Sequence, residues 1–306
     1  MSSQDNSVKR KRQRSTIRDP NPERIRITDR DMEILCWLNK VRMLTIDQIQ
    51  SVFFASEDEP RSGWRSARHR MRKLFDHKLV AKIQKPFSSV GDNSYVYSLD
   101  ELGALTVQRY LEDSDSKLIW QPHHNNIKGL HIPHYEATNN LWVVLHKLNQ
   151  REKIRLHTWY SDMQFKSEPL KNHLPFNSLY TSKKRKFVEP DGFYAYSLPN
   201  MTAPHAFFVE VDTGEEALPV VENKFKVYHA YRLSEESKDF YGVTKWRLLI
   251  ITSSAGRLKN IMKKAAKVGC EHYCWFTTLD NLDIWNPSKY FQNIWMVVGR
   301  DGFYSL

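Results

Sequence analysis

The chain has 306 residues, of which 41% are hydrophobic and 26% charged, the balance of a folded protein with room for two domains. No stretch of about 18 apolar residues occurs and the first residues are polar and basic, so we expect neither a transmembrane helix nor a secretory signal. The three cysteines are too few for a disulfide framework and favour the cytoplasm. A net charge of +11 favours a polyanionic partner, although it can also serve solubility alone.

Residues 1–24 are rich in cations and poor in apolar side chains, which predicts a disordered basic arm. Such an arm can follow DNA phosphates, because each contact releases condensed counterions. A run of this kind is also typical of nuclear-import signals. In the DNA interpretation the phosphate contacts come from Lys9, Arg10, Lys11 and Arg12.

Two capping boxes open the first ordered segments of the chain. Thr28 is followed three residues later by Asp31, and Thr45 is followed at the same spacing by Gln48. In this pattern the hydroxyl accepts from the third backbone amide of the helix, and the later side chain accepts from the backbone amide of the capping residue itself. Apolar residues at helical spacing follow each box, so both predict helices.

A third helix and a hairpin follow these two helices. Helical spacing extends from about residue 62 to 78, and β-rich segments at 80–84 and 95–99 flank a polar turn at 88–94. Three helices followed by a hairpin is the order of a winged helix-turn-helix. We therefore expect residues 25–120 to form a winged-helix DNA-binding domain.

The third predicted helix has one apolar side and one basic side. Ala67, Met71 and Leu74 share the apolar side at 100° per residue. The third helix of a winged helix enters the major groove, where cationic side chains contact phosphates and base edges. A solvated basic face or a protein-binding winged helix remains the alternative. The candidate DNA contacts on this helix are Arg65, Arg68, His69, Arg72 and Lys73.

Residues 121–306 show a mixture of helical and strand patterns. Their order, α-β-β-β-α-β-α-β, predicts a mixed sheet flanked by helices, so the whole chain is assigned to the α/β class, α+β overall. The predicted segments are a helix at 133–148, strands at 154–160, 187–197 and 206–212, a helix at 217–231, a strand at 246–252, a helix at 258–268 and a strand at 273–277.

Acidic residues lie inside one of these strands and at the end of the next. Asp191 follows Pro190, and Glu210 and Asp212 end the apolar segment 206–212. Because side chains alternate along a strand, Glu210 and Asp212 point to the same side. Carboxylate oxygens are the ligands that Mg²⁺ and Mn²⁺ prefer, and such an ion can activate water beside a phosphodiester. Asp191, Glu210 and Asp212 are therefore the candidate metal ligands.

In this order and spacing the acids resemble those of the PD-(D/E)xK nuclease superfamily. The resemblance implies a nuclease-like domain over residues 121–306 with a catalytic group of Asp191, Glu210 and Asp212. It also implies an auxiliary acid on the preceding helix, at Glu136. The superfamily usually has lysine where this chain has Asp212. Lysine has a long and mobile side chain, so Lys224 or Lys226 on the next predicted helix could replace it.

More closely, the chain resembles the bacterial replication-relaxation family of plasmids and mobile elements. The resemblance extends from Thr28 to about Leu279 and implies a winged helix joined to the nuclease-like domain. Each matching segment is short, and the resemblance depends on the order and spacing of these segments along the chain. The segments are 130–134 before a helix, Pro190-Asp191, 210–215, Lys224 with Tyr228, and the strand–helix–strand of 246–277.

Each candidate residue also has a structural interpretation. Asp191 and Asp212 can be ordinary turn residues, and Lys224 and Lys226 can be surface residues. Glu210 is harder to explain in this way, because an acid inside an apolar strand costs desolvation energy unless it is paired.

The sequence leaves two functions open. In the first, the protein binds double-stranded DNA and hydrolyses a phosphodiester with Mg²⁺ or Mn²⁺ on the acids, with Lys224 or Lys226 orienting water. In the second, a regulator or replication accessory binds DNA through the same N-terminal domain and its nuclease-like domain is degenerate, as Asp212 at the usual lysine position indicates. Further partners would be other replication, mobilisation or transposition proteins.

Overall fold

The computed structural model describes residues 16–86, 95–114, 116–167, 189–201, 203–234 and 245–306. The chain forms two compact units, residues 1–139 and 140–306. The sequence predicts a domain boundary at residue 120 instead, and this boundary stays a prediction. No helix of the described residues has the length and apolar character needed to cross a membrane. The predicted arm cations at positions 9–12 and the predicted turn at 88–94 lie outside the described residues.

The N-terminal unit contains the predicted order of three helices and a hairpin. Its three strands form an antiparallel sheet in the order β1-β3-β2. The short β1 was not predicted, because two residues carry no periodicity. The elements are α1 (Asp29–Val41), β1 (Leu44–Thr45), α2 (Ile46–Phe53), α3 (Trp64–Asp76), β2 (Val80–Gln84), β3 (Tyr95–Leu99) and α4 (Glu101–Tyr110).

Both predicted capping boxes are present, and the first also joins two helices. The amide of Asp31 donates to the hydroxyl of Thr28 at 3.3 Å, and the amide of Gln48 donates to that of Thr45 at 3.1 Å. Arg70 of α3 donates through Nε to the fully buried carboxylate of Asp31 at 2.7 Å. Burial alone would raise the pKa of Asp31, but the hydrogen bonds from Arg70 and Thr28 lower it. Arg70 therefore holds α3 against the start of α1.

The C-terminal unit is built on a six-stranded mixed sheet in the order β4-β5-β6-β7-β8-β9. Strands β6, β7 and β8 are parallel, and the other neighbours are antiparallel. The predicted α+β class is confirmed. The elements are α5 (Ile132–Gln150), which contains the division between the units, β4 (Arg155–Ser161), α6 (Asp162–Phe165), β5 (Gly192–Ser197), β6 (His205–Asp212), α7 (Leu218–Leu233), β7 (Trp246–Thr252), α8 (Ala255–Val268), β8 (Cys274–Thr278) and β9 (Met296–Val297).

Helices α7 and α8 cover one face of this sheet. Parallel neighbours need a crossover connection, and these two helices provide it after β6 and β7. Phe208 and Leu248 of the strands share a buried core with Phe225 and Tyr228 of α7 and with Ile261 of α8. The parallel arrangement brings the last residues of β6 and β7 together, and it positions the acids described below.

His146 on α5 gives the C-terminal unit a measurable pH dependence. Burial lowers the pKa of His146 to about 4, below its ordinary value of 6.5. Because the folded-state pKa is the lower one, stability is lost as the pH falls from 6.5 toward 4. We expect wild-type protein to lose about 2 kcal/mol more than His146→Gln between pH values of about 7.5 and 5. Urea denaturation measures this, and equal losses in both proteins would contradict the assignment.

Candidate functional site

The most deeply buried of the predicted catalytic acids is Glu210, near the end of β6. Its side chain points to the face covered by α7 and α8 and is 6% exposed. The hydroxyl of Tyr228 donates to Oε1 at 2.6 Å, and Nζ of Lys224 donates to Oε2 at 2.9 Å. Both donors come from α7, where they are four residues apart and therefore lie on the same side of the helix. The buried carboxylate has a donor for each oxygen.

These contacts shift the proton equilibria of all three groups. Burial raises the pKa of Glu210 to about 7, and the nearby Asp191 carboxylate adds to the rise, while Lys224 and Tyr228 oppose it. Burial alone would lower the pKa of Lys224, but the carboxylates around it outweigh this and raise it. Burial and Glu210 raise the pKa of Tyr228 well above its usual range. Lys224 therefore stays charged and Tyr228 neutral, whereas Glu210 titrates near neutral pH.

Asp191 lies beside Glu210 because the backbone of β6 holds it there. It precedes β5, and its amide donates to the carbonyl of Val209 at 3.0 Å. Its Oδ2 accepts from the amide of Val211 at 2.7 Å. The next residue, Gly192, packs so closely that a Cβ atom there would lie 2.3 Å from the ring of Trp142. Asp191 was expected inside a strand region, and the structure places it immediately before the strand.

Asp212 makes a different set of contacts at the end of β6. Nε and Nη2 of Arg257, in the first turn of α8, donate to its two carboxylate oxygens at 2.7 and 2.9 Å. The hydroxyl of Thr252, its neighbour on β7, donates to Oδ2 at 2.9 Å. Burial alone would raise the pKa of Asp212, but these hydrogen bonds lower it. Asp212 is therefore an ionised partner of Arg257.

The structure separates the two lysines that the sequence offered as catalytic cations. Lys224 contacts Glu210, whereas the side chain of Lys226 is 57% exposed and pairs with Glu222 at 3.3 Å. The predicted auxiliary acid, Glu136, belongs to the N-terminal unit, where it accepts from Lys85 at 2.7 Å. Its catalytic role stays a prediction.

Four polar residues of the site had no role in the sequence analysis. Tyr228 was noted only as part of the family resemblance, although its spacing of four from Lys224 could have placed it on the same helix side. Glu216 pairs with Lys224 at 3.0 Å. Arg257 and Thr252 reach the site from elements more than 40 positions beyond Glu210, and no local pattern indicates such contacts.

The carboxylates at the end of β6 can be compared with the ligands that a divalent cation requires. Beside Glu210 is a cavity of about 20 Å³, room for about one water molecule or ion. Across the described residues, no group of three or more His, Cys, Asp or Glu side chains is arranged to hold a metal. Mg²⁺ usually takes only one or two carboxylates with water and substrate phosphate. Each oxygen of Glu210 already accepts from Tyr228 or Lys224, and both oxygens of Asp212 accept from Arg257, so a cation bound here would have to replace some of these donors.

Comparison with known proteins gives one family. A family model described as replication-relaxation matches residues 35–245, more than half of the chain. The chain belongs to the replication-relaxation family. This membership suggests a role in the replication or relaxation of plasmids or mobile elements. Neither the curated proteins nor the solved structures gave a match.

In this replication-relaxation protein the candidate DNA contacts of α3 fall into two groups. Arg65, Arg68 and His69 are exposed, and the guanidinium of Arg68 lies 4.3 Å from the centre of the Trp64 ring. Arg72 is half-buried and its Nε donates to Asp76 at 2.8 Å. Lys73 is also half-buried. The exposed group is the one whose side chains a ligand can reach directly.

A further cation, Lys82 of β2, accompanies this helix. Its ammonium lies 4.9 Å from the centre of the Tyr95 ring. Burial, followed by the positive charges of Arg72 and Arg68, lowers the pKa of Lys82 to about 8. The hairpin thus contributes positive charge beside α3.

The Asp212–Arg257 pair gives a stability prediction. We expect Arg257→Gln to lower the free energy of unfolding by about 3 kcal/mol, because it leaves a buried carboxylate without its cation. The double variant Asp212→Asn/Arg257→Gln should recover a large part of this loss. Lys259→Gln, an exposed change on α8, is the control and should stay within about 0.5 kcal/mol of wild type. Urea denaturation measures all four proteins, and no recovery in the double variant would contradict the pairing.

Proposed function

We propose that this replication-relaxation protein processes DNA with a division of labour between its two units. The N-terminal unit is a winged helix that holds double-stranded DNA. The C-terminal unit is a PD-(D/E)xK-like domain that hydrolyses a phosphodiester with Asp191, Glu210 and Lys224. Mg²⁺ or Mn²⁺ assists the reaction.

The observation that carries the catalytic proposal is the contact between Lys224 and Glu210 at 2.9 Å. The nuclease superfamily combines acids with a lysine, and this chain has Asp212 at the position where that lysine is usual. Lys224 contacts the acid from α7 instead of from the strand. The site therefore combines acids with a lysine, as the superfamily does, although the lysine comes from a different element. Asp191 and Glu216 add two more carboxylates around the single lysine, and this excess of negative charge favours a divalent cation.

The chemistry would then be shared as follows. A divalent cation on Asp191 and Glu210 would acidify a water molecule and neutralise charge on the phosphate. Lys224 would orient the attacking water and offset negative charge on the phosphate oxygens. Tyr228 holds Oε1 of Glu210 in place. In the reaction the water oxygen bonds to phosphorus, its proton passes to a basic group or solvent, and the bond from phosphorus to the leaving oxygen breaks as that oxygen is protonated.

Nicking of supercoiled plasmid with Mg²⁺ or Mn²⁺ tests the catalytic proposal. We expect Glu210→Gln and Lys224→Met each to lower the nicking rate by about a hundredfold or more, as expected when a catalytic group is removed. Lys226→Gln is the matched control, because it removes a lysine of the same helix that points to solvent. Retention of metal-dependent nicking in Glu210→Gln would overturn the assignment.

A second function is favoured by the pairing of the acids. Asp212 is occupied by Arg257, and Glu210 by Lys224 and Tyr228, so the domain could serve as a rigid scaffold in a non-catalytic DNA-binding protein. In that case wild type and Glu210→Gln would bind plasmid equally and neither would cut it with either ion. Metal-dependent nicking by wild type would exclude this function.

The proposed DNA contact rests on the exposed basic side of α3. Arg65, Arg68 and His69 would contact base edges or phosphates, and Arg72 and Lys73 would add charge behind them. The predicted arm cations Lys9, Arg10, Lys11 and Arg12 would add phosphate contacts. Arg70 has a different role, because its guanidinium is used by Asp31 within the fold.

DNA binding is tested with the double variant Arg65→Ala/Arg68→Ala. We expect affinity for a DNA duplex to fall by about tenfold or more and the slope of log K against log salt to shrink by about two. Arg30→Ala/Arg109→Ala removes the same charge from exposed positions on α1 and α4 and is the control. Titration by fluorescence anisotropy at several salt concentrations measures both. Equal losses in the two double variants would indicate a general charge effect and contradict the recognition-helix assignment.

A further inference from the structure

A cavity of about 720 Å³ opens at the N-terminal edge of the parallel strands of the C-terminal unit. His205 at the start of β6, Trp246 and Arg247 at the start of β7 and Tyr273 just before β8 line it. Glu210 lies five residues further along β6, and a strand rises by about 3.3 Å per residue, so the acids are roughly 17 Å away. The cavity is separate from the carboxylate site, and its volume is typical of a pocket for a small ligand.

The lining of this cavity is strongly basic. Arg232, Lys245 and Arg247 contribute three cationic side chains, and Glu271 contributes the single carboxylate among the lining residues. A concave surface lined by one sign of charge concentrates ligands of the opposite sign. The pocket therefore suits an anion.

Arg247 is the cation whose surroundings point most directly to a ligand. Its guanidinium lies 5.1 Å from the centre of the Trp275 ring and 5.8 Å from that of Phe207, and the side chain is half-buried. In the described part of the chain, this guanidinium makes no hydrogen bond or ion pair. Burial and the Arg247 charge lower the pKa of His205. A guanidinium without an acceptor in the fold is able to donate to a ligand, and its fork of donors matches phosphate.

Aromatic rings form the other part of the pocket wall. Arg232 donates to the carbonyl of Trp246 at 2.5 Å and lies 5.1 Å from the centre of the Trp246 ring and 5.2 Å from that of Tyr273. This packing fixes the wall in one arrangement. The rings of Trp246 and Tyr273 are 4% and 8% exposed and pack against Arg232, so they support the pocket from within the core while its cations face a ligand.

We propose that this cavity binds a nucleotide phosphate through Arg247, with Lys245 adding charge. The nucleotide can be free or part of a single strand. The site acts independently of hydrolysis, so it can be tested without divalent cations.

The test compares wild type, Arg247→Gln and Arg247→Lys in EDTA at constant salt. Binding of a fluorescein-labelled oligothymidylate is followed by anisotropy, and binding of free dTMP by calorimetry. We expect Arg247→Gln to weaken binding of at least one probe by about tenfold, with the salt slope for the strand reduced by about 0.7. Arg247→Lys keeps the charge and should lose less. Arg300→Gln, which removes an exposed arginine stacked on Tyr304, is the control and should match wild type.

The two probes identify the source of the phosphate. Loss with the strand alone assigns the pocket to a nucleic-acid strand, and loss with dTMP assigns it to a free nucleotide. Thermal unfolding checks that Arg247→Gln remains folded, and Arg247→Lys provides the comparison if it does not. If both Arg247 variants bind both probes as wild type does, the proposal is overturned. Because no metal is present, this outcome is independent of whether the protein nicks DNA.

Discussion

The ion pair between Glu210 and Lys224 is the interaction on which the C-terminal site depends. A carboxylate inside a buried parallel strand loses its hydration, and the strand itself has no side chain that can compensate. The compensation comes from the crossover helix α7, whose Lys224 and Tyr228 reach the two oxygens. The contact that makes Glu210 tolerable in the fold is thus the same one that brings a cation to the acids.

The parallel order of β6, β7 and β8 explains why several charged groups meet at one edge. Asp212 lies opposite Thr252, and α8 begins just after that strand, which brings Arg257 to the same place. Two acids two residues apart on one strand therefore have different environments. Glu210 shares its lysine with other carboxylates and titrates near neutral pH, whereas Asp212 has an arginine of its own and stays ionised.

The sequence was sufficient for features whose signals are local. The capping boxes at Thr28 and Thr45, the hairpin strands at 80–84 and 95–99 and the acidic end of β6 all follow from patterns within a few residues. Which of the two lysines contacts Glu210 could also have been predicted, because only Lys224 lies on the same side of the helix as Tyr228. The pairing of Arg257 with Asp212 could not, since it depends on how α8 begins relative to a distant strand. The contact between Arg70 and Asp31 could not be predicted for the same reason, because the local sequence around Asp31 indicates only its role in the capping box.

The two edges of the parallel strands carry opposite charges. The C-terminal edge has Glu210 and Asp212, with Asp191 bound to the backbone of Val211 beside them, and the N-terminal edge has Arg232 and Arg247. Alternating side chains alone do not produce this polarity, because a strand needs no charged residue at either end. Charges on the inner strands of a covered sheet are costly unless they are paired or bind a ligand. At the acidic edge, the charges are paired mainly with other side chains of the fold. At the basic edge, Arg247 is half-buried and stacks on apolar rings, so the anion proposed above would be its partner.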